Sequence, residues 1–274
     1  MFLKLFKNPK PIIGMVHLPP LPGSPGWNPN NKLEDIEQLV HKDVESLTDS
    51  GIDGLLFENY GDAPFKKDNV TALTISSMTR IILNCTKNVK TTFGINVLRN
   101  SWQDALSIAS VTNAAFIRVN VLTGAYATDQ GLIEGDAYRC FRYRKYLEQH
   151  LGKGIKIFAD VNTKHGTPLH KQSITDATRD LVDRVGVDCI IVTGKRTGEE
   201  PILNDLLAVK KAAGDLPVLV GSGVNDKNIN DFYNIADGFI IGTFFKEDNK
   251  ITNPVDLNKV KKLIEQTRLM KAEE

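Results

Sequence analysis

The chain has 274 residues, 41% hydrophobic and 24% charged, a composition that describes a globular protein able to bury a large core. Its 34 basic and 33 acidic residues nearly cancel, which excludes nucleic acid as a partner on charge grounds. No apolar run approaches the ~18 residues that span a bilayer, Met1 to Lys10 is too short for a secretory signal and no more than a weak membrane-surface anchor, and Cys85, Cys140 and Cys189 lack metal-ligand or disulfide spacing, as fits a reducing, cytoplasmic compartment.

A short apolar run, a polar loop and a segment with helical spacing then recur. The first strand spans Ile12 to Leu18, and its helix runs from Leu33 to Ser50 with Ile36, Val40, Val44 and Leu47 on one face, stopped by Gly51. The second strand is Ile52 to Glu58, with a helix over Thr71 to Cys85. The third is Thr91 to Val97, and Ser101 with Asp104 reads as a capping box for a helix over Trp102 to Val111. The fourth is Ala115 to Asn120, followed by an insertion, Val121 to Asp136, and a helix over Ala137 to His150. The fifth is Ile155 to Val161 with a helix over Ile174 to Val185. The sixth is Asp188 to Thr193, where Cys189 reads as a plain core cysteine and Pro201 opens the next helix. The seventh is Val218 to Gly221, before a short helix near Asp226 to Tyr233. The eighth is Gly238 to Gly242, and the closing helix covers Val255 to Leu269.

Strands separated by helices pair in parallel, because a parallel return needs a crossover. Eight such units without a linker predict a single α/β domain over residues 1–274, a (β/α)8 TIM barrel. Its active site then lies at the C-terminal strand ends, which selects the polar residues just after each apolar run.

The clearest signal is Gly221-Ser222-Gly223 after strand seven, with Gly242-Thr243 after strand eight. Glycines let main-chain N–H groups approach an anion, and these two loops are where such barrels commonly hold phosphate, helped by a helix N-terminus nearby. Asp237-Gly238 and Asn225 to Asn228 fit the same layout. The sixth loop adds Gly194 and Thr197 around Lys195 and Arg196. Strand five ends in Asp160, Asn162, Lys164 and His165, which offer a carboxylate, an amine and an imidazole for proton exchange; in an extended segment Asp160, Asn162 and Lys164 share one face. Lys164 could alternatively form a Schiff base if burial depresses its pKa. Glu58, with Asn59 and Asp62, could supply a base or oxygen ligands for a divalent metal ion. Asn96, Arg99, Arg118 and Asn120 suit a polyhydroxylated, anionic ligand, although a salt bridge to a neighbouring strand acid accounts for Arg118 equally well. His17, a catalytic candidate, ends strand one before a proline-stiffened loop. Gly124 to Gly135, carrying Tyr126, Asp129, Gln130 and Glu134, is the natural lid.

These segments carry a family resemblance. Gly14-Met15-Val16-His17-Leu18-Pro19-Pro20-Leu21-Pro22-Gly23-Ser24-Pro25 resembles the opening motif of the BtpA/SgcQ family. Phe57 to Phe65, Gly94 to Asn100, Phe116 to Val121, Gly131 to Gly135, Lys164-His165, Gly221 to Gly223 and Asp237-Gly238 continue it. The resemblance implies a phosphate-binding barrel of the ribulose-phosphate type, with relatives linked to photosystem I accumulation or found among genes for sugar-phosphate handling.

Together these readings point to an enzyme acting on a small phosphorylated sugar or nucleoside-like metabolite, with isomerase or epimerase, lyase and glycosyl hydrolase all open. Asp160 or Glu58 would be the base, and Lys164 and His165 the acid or electrostatic stabiliser. The alternative is an assembly or stability factor that binds a protein partner without catalysis. No nucleotide cofactor is predicted; a metal ion and a homo-oligomer stay open.

Overall fold

The computed structural model describes residues 4–273. In chain order the strands are β1 (Ile12–His17), β2 (Gly54–Glu58), β3 (Thr92–Asn96), β4 (Phe116–Val119), β5 (Ala125–Thr128), β6 (Gly131–Glu134), β7 (Lys156–Asp160), β8 (Gly166–Pro168), β9 (Cys189–Val192), β10 (Val218–Val220) and β11 (Phe239–Ile241). The helices are α1 (Leu33–Asp49), α2 (Ala72–Thr86), α3 (Trp102–Thr112), α4 (Ala137–Leu151), α5 (Ile174–Arg179), α6 (Leu203–Ala213), α7 (Ile229–Tyr233) and α8 (Leu257–Glu273). Eight strands close a parallel barrel in the order β1-β11-β10-β9-β7-β4-β3-β2, while β5, β6 and β8 form a separate antiparallel sheet. The expected (β/α)8 barrel is the fold.

The barrel strands are apolar on both faces because both are buried. In β9, Cys189 and Ile191 point into the barrel with Met15, Leu56, Phe116, Phe158 and Leu219, whereas Ile190 and Val192 pack beneath the helices. Burial raises all three cysteine thiols, those of Cys85 and Cys140 to about 12, which keeps them inert. Phe116 stacks on Phe158 at 4.4 Å, and β3 makes room with Gly94, whose Cβ would sit 2.3 Å from the Phe116 ring. Phe6 closes the barrel floor edge-on to Phe116. Residues 1–3 of the considered membrane-surface stretch lie outside the described residues, and its Phe6 faces the core. Among the described residues no helix is long and apolar enough to cross a membrane.

A repeated device sets strand register at the floor. Asp53, Asp188 and Asp237 each accept from an amide in the first two residues of an adjacent strand, Ile12, Ile157 and Val218 respectively, at 2.8–3.0 Å. Asp237 is also paired with Lys210. Asp237-Gly238 therefore lies opposite the mouth, and its assignment to the phosphate layout is corrected.

Other local expectations shift for identifiable reasons. Asp104 is spent on the Ser101 hydroxyl and the Val70 amide rather than on a closed capping box. Pro201 precedes α6 by two residues, with Ile202 as its N-cap. The helix from Ile174 continues past α5 as a π turn to Val185 and ends at Gly186, φ 75°. The helix after β10 is only one turn long, and Asn225 and Asn228 cap each other's backbone around its start, so it adds no dipole of consequence.

Gly94→Ala should destabilise the protein by about 1–3 kcal/mol through overpacking. In calorimetry the Gly94→Ala/Phe116→Leu double variant should lose less than the sum of the two single changes; strict additivity would contradict the steric coupling.

Candidate functional site

Period-two alternation carries inward positions upward from the apolar barrel to the strand ends, where they turn polar: His17, Glu58, Asn96, Arg118 and Asp160, with Gly221 and Gly242 on the opposite arc. Above them opens a cavity of about 400 Å³. Its wall includes His17, Glu58, Tyr60, Arg99, Arg118, Asn120, Lys164, His165 and Thr197, together with Gly221, Ser222, Gly223, Gly242 and Thr243. A second cavity of about 260 Å³ lies over Asn225, Lys227 and Phe244, and the two share Gly198, Gly223, Gly242 and Thr243.

The glycine arc is a main-chain surface. Gly221 N–H is held by Val192 O at 2.8 Å. Among the described residues, the N–H groups of Ser222, Gly223, Gly242 and Thr243 find no protein acceptor. Side chains are kept off this surface: a Cβ at Gly223, φ 72°, would fall 2.1 Å from Glu200 N, and one at Gly242 would fall 2.7 Å from the His17 ring. Of the expected phosphate residues, Gly194 serves the loop instead, as does the side chain of Ser222. Gly194 N–H donates to Ser222 Oγ, which donates to Glu199 O, so Gly194 stands behind the wall.

The charged arc centres on a buried ion pair. Arg118 Nε and Nη2 donate to the two Asp160 carboxylate oxygens at 2.8 and 3.0 Å, and Asn120 Nδ2 donates to Oδ2 at 3.0 Å. Asp160 is fully enclosed and does not reach the cavity. Glu58 does. Its Oε2 accepts from Asn96 Nδ2 at 2.5 Å, its Oε1 lies 3.8 Å from His17 Nε2, and burial raises its carboxyl above the ordinary value. His17 lies edge-on to Tyr60, its buried Nδ1 has no partner, and burial with nearby Lys246 and Lys164 presses its pKa well below 6.5. Lys164 Nζ makes one long contact, 3.4 Å to Gly221 O, and desolvation with the Arg118 charge brings its pKa down to about 8.

The remaining candidates position others. Asn59 receives the Leu98 amide at 2.7 Å and donates to Asp62, which also accepts from Leu21 N–H at 2.9 Å. These contacts clamp the proline-rich loop and the segment bearing Arg99, and neither residue lines the cavity; nor does Asn96. Both Asp62 oxygens accept hydrogen bonds, and among the described residues no three His, Cys, Asp or Glu side chains gather for a metal. The chain turns after Asp160, so Asn162 leaves the shared face and accepts from Tyr126 Oη at 3.2 Å. Arg99 is held by Thr163 Oγ1 and Lys164 O, and His165, at the rim, meets Thr197 Oγ1 at 3.2 Å. The expected lid is a β5–β6 hairpin, tied by β8 to the segment after Lys164, with Asp129 and Gln130 at its tip on the cavity wall. Tyr60 and Gly198 were not singled out in the sequence, although Tyr60 stands two residues beyond Glu58.

The sequence profile of the BtpA family matches residues 8–269. An uncharacterized protein of Methanocaldococcus jannaschii is 44% identical over 262 residues, covering 96% of each chain. Photosystem I biogenesis protein BtpA of Synechocystis sp. is 41% identical over 260 residues, covering 95% of this chain and 88% of its own. Phosphoribosyl anthranilate isomerase from Thermus thermophilus is similar at TM-score 0.55 and 10% identity, over 95% of this chain and 99% of that one. Orotidine 5'-monophosphate decarboxylase from Methanocaldococcus jannaschii is similar at TM-score 0.51 and 17% identity, over 91% and 99%. At such identities the structural likeness is one of fold.

Arg118→Met should cost about 3–5 kcal/mol by stranding the Asp160 charge, and Arg118→Met/Asp160→Leu should recover most of it; denaturant titration checks both. Because the folded chain resists protonating His17, the unfolded state binds more protons below pH 6.5, and stability falls as the solution is acidified. His17→Asn should flatten the decline of Tm between pH 6.5 and 5; an unchanged slope would contradict this.

Proposed function

The chain belongs to the BtpA family, and on that premise we propose that it is an enzyme acting on a small phosphorylated sugar or nucleoside-like metabolite. What carries the reading is the set of N–H groups without acceptors on Ser222, Gly223, Gly242 and Thr243, beside a cavity that contains ionisable groups. A phosphate at these amides would satisfy donors that otherwise look onto solvent, in the loops where barrels of this class hold phosphate. Phosphate binding would also fix the far end of the ligand, so that the reacting carbon meets Glu58 and Lys164 as an intramolecular neighbour.

Of the two carboxylates considered as base, Glu58 is favoured. Its carboxyl faces the cavity and burial raises its pKa, which makes it a stronger proton acceptor than an ordinary carboxylate. Asp160 is committed to Arg118 and Asn120. It holds a guanidinium facing the cavity, where developing negative charge on the substrate would be stabilised. Lys164 and Arg99 add cationic character to the same wall, and His165 with Thr197 would close the rim. A second reading, an assembly or stability factor for a protein partner, is favoured by the name of the Synechocystis relative.

Titration of inorganic phosphate into 15N-labelled protein should move the Ser222, Gly223, Gly242 and Thr243 amide resonances together. A sugar phosphate at about 100 times its Kd should raise Tm by roughly 5–10 °C. Silent amides, with no shift from any phosphorylated compound, would leave the partner-binding reading in possession.

A further inference from the structure

The geometry points to Lys164 as a covalent catalyst that forms an imine with an aldehyde or ketone carbon of the substrate. The inference deepens the reading above and rests on it for the placement of that carbon between Glu58 and the glycine arc.

Lys164 is an unusual lysine. It lies on the cavity wall, yet among the described residues no carboxylate comes within ion-pair distance, and its one contact is the 3.4 Å approach to Gly221 O. A lysine kept only as a cation gains from an acid partner or from water, and this one has given up the former and much of the latter. The cavity also does not need its charge. Arg118 and Arg99, which stay protonated, line the same wall and repel a third cation. A desolvated amine beside other cations is the environment that turns lysine into a nucleophile. With a pKa of about 8, roughly a tenth of the amine is neutral at pH 7, against roughly one part in 3,000 at the ordinary value.

The second group needed is an acid that delivers a proton in a buried place, and Glu58 is available for it. The Lys164 Nζ lone pair forms the N–C bond while the carbonyl π pair moves to oxygen, and a proton from the nitrogen passes to that oxygen, giving a carbinolamine. The Glu58 carboxylic acid protonates the hydroxyl, which leaves as water as the nitrogen lone pair closes the C=N bond. The carbonyl compound, amine and one proton become an iminium ion and water. Glu58, now a carboxylate, is then placed to accept a proton from the substrate. This sequence narrows the reaction to carbon–carbon cleavage or proton transfer next to a carbonyl, and removes glycosyl hydrolysis from the choices.

The experiment is reductive trapping on the full chain. Dihydroxyacetone phosphate, glyceraldehyde 3-phosphate, ribose 5-phosphate and pyruvate are each incubated with the protein, sodium borohydride is added to donate hydride to the imine carbon, and intact-mass and peptide mass spectrometry locate the product. A borohydride-dependent adduct on Lys164 is expected with at least one probe. It should be absent from Lys164→Arg, a variant first checked for wild-type Tm. If the Lys164→Arg change unfolds the chain, competition decides instead: the phosphorylated probes should label Lys164 less when inorganic phosphate is in excess. No adduct at Lys164 from any probe, or equal labelling of many surface lysines, overturns the imine. Should a phosphorylated probe raise Tm without labelling Lys164, the imine falls and the phosphate reading stands. Should pyruvate label Lys164 while no phosphorylated compound shifts Tm, the phosphate reading falls and the imine stands.

Discussion

Closure of the parallel sheet is the constraint from which the rest follows. A closed barrel has no edge, so each strand surrenders alternate side chains to an interior that must be filled. Phe116 and Phe158 fill it as a stacked pair, and Gly94 yields the space they take. The same alternation, carried one residue pair higher, leaves no choice about where Glu58, Arg118 and Asp160 point. The floor carboxylates Asp53, Asp188 and Asp237 hold adjacent strand starts, so the register that organises the mouth is set at the opposite end of the barrel. A slip of one residue would turn the whole polar layer outward.

Much of this was legible in the sequence. Eight apolar runs with helical spacers are a strong signal because both strand faces are buried and each return needs a helix. The strand-end rule then selected, from position alone, His17, Glu58, Arg118, Lys164 and the glycine pairs, which line the cavity. What stayed hidden was the distinction between a residue that faces the cavity and one that supports its wall. Asn59, Asp62 and Asn96 are the right types at the right places, but their hydrogen-bonding capacity is consumed by the Leu98 and Leu21 amides and by Glu58. Gly194 is a glycine for packing against Glu199 and Glu200, which no local pattern distinguishes from one that admits an anion. Asp237-Gly238 precedes the last strand and was assigned to the phosphate layout all the same, although the strand-end rule puts such a position at the floor. Asn162 was misplaced because alternation was extended past the point where the strand stops.

The mouth divides into unlike halves for a steric reason. From β9 round to β11 the wall is backbone, because Gly223 and Gly242 are pressed against Glu200 and His17 and can carry no side chain. From β2 round to β7 the wall is long, charged side chains. The β5–β6–β8 sheet stands over the second half and joins the segment after Lys164 to the hairpin bearing Asp129 and Gln130. A ligand with one compact anionic end and one reactive end matches that division. Hydrogen bonds between His165 and both Lys195 O and Thr197 Oγ1 link the hairpin side to the loop carrying Gly198.

Two carboxylates at strand ends show how neighbours assign roles. Asp160 meets Arg118 with both oxygens and accepts a further hydrogen bond from Asn120, so it serves to aim a guanidinium. Glu58 has one strong donor, Asn96, and a histidine held largely neutral by burial. Nothing there compensates its negative charge at contact distance, and desolvation therefore dominates. Acids with such unlike hydrogen-bond partners are how one pocket separates electrostatic support from proton transfer. Lys164, paired with neither, is pushed the opposite way by desolvation. A carboxyl that holds its proton more tightly and an amine that holds its own less tightly stand together at one mouth. That inversion suits the making and breaking of bonds at a carbonyl carbon, and folding alone gives no reason to keep it.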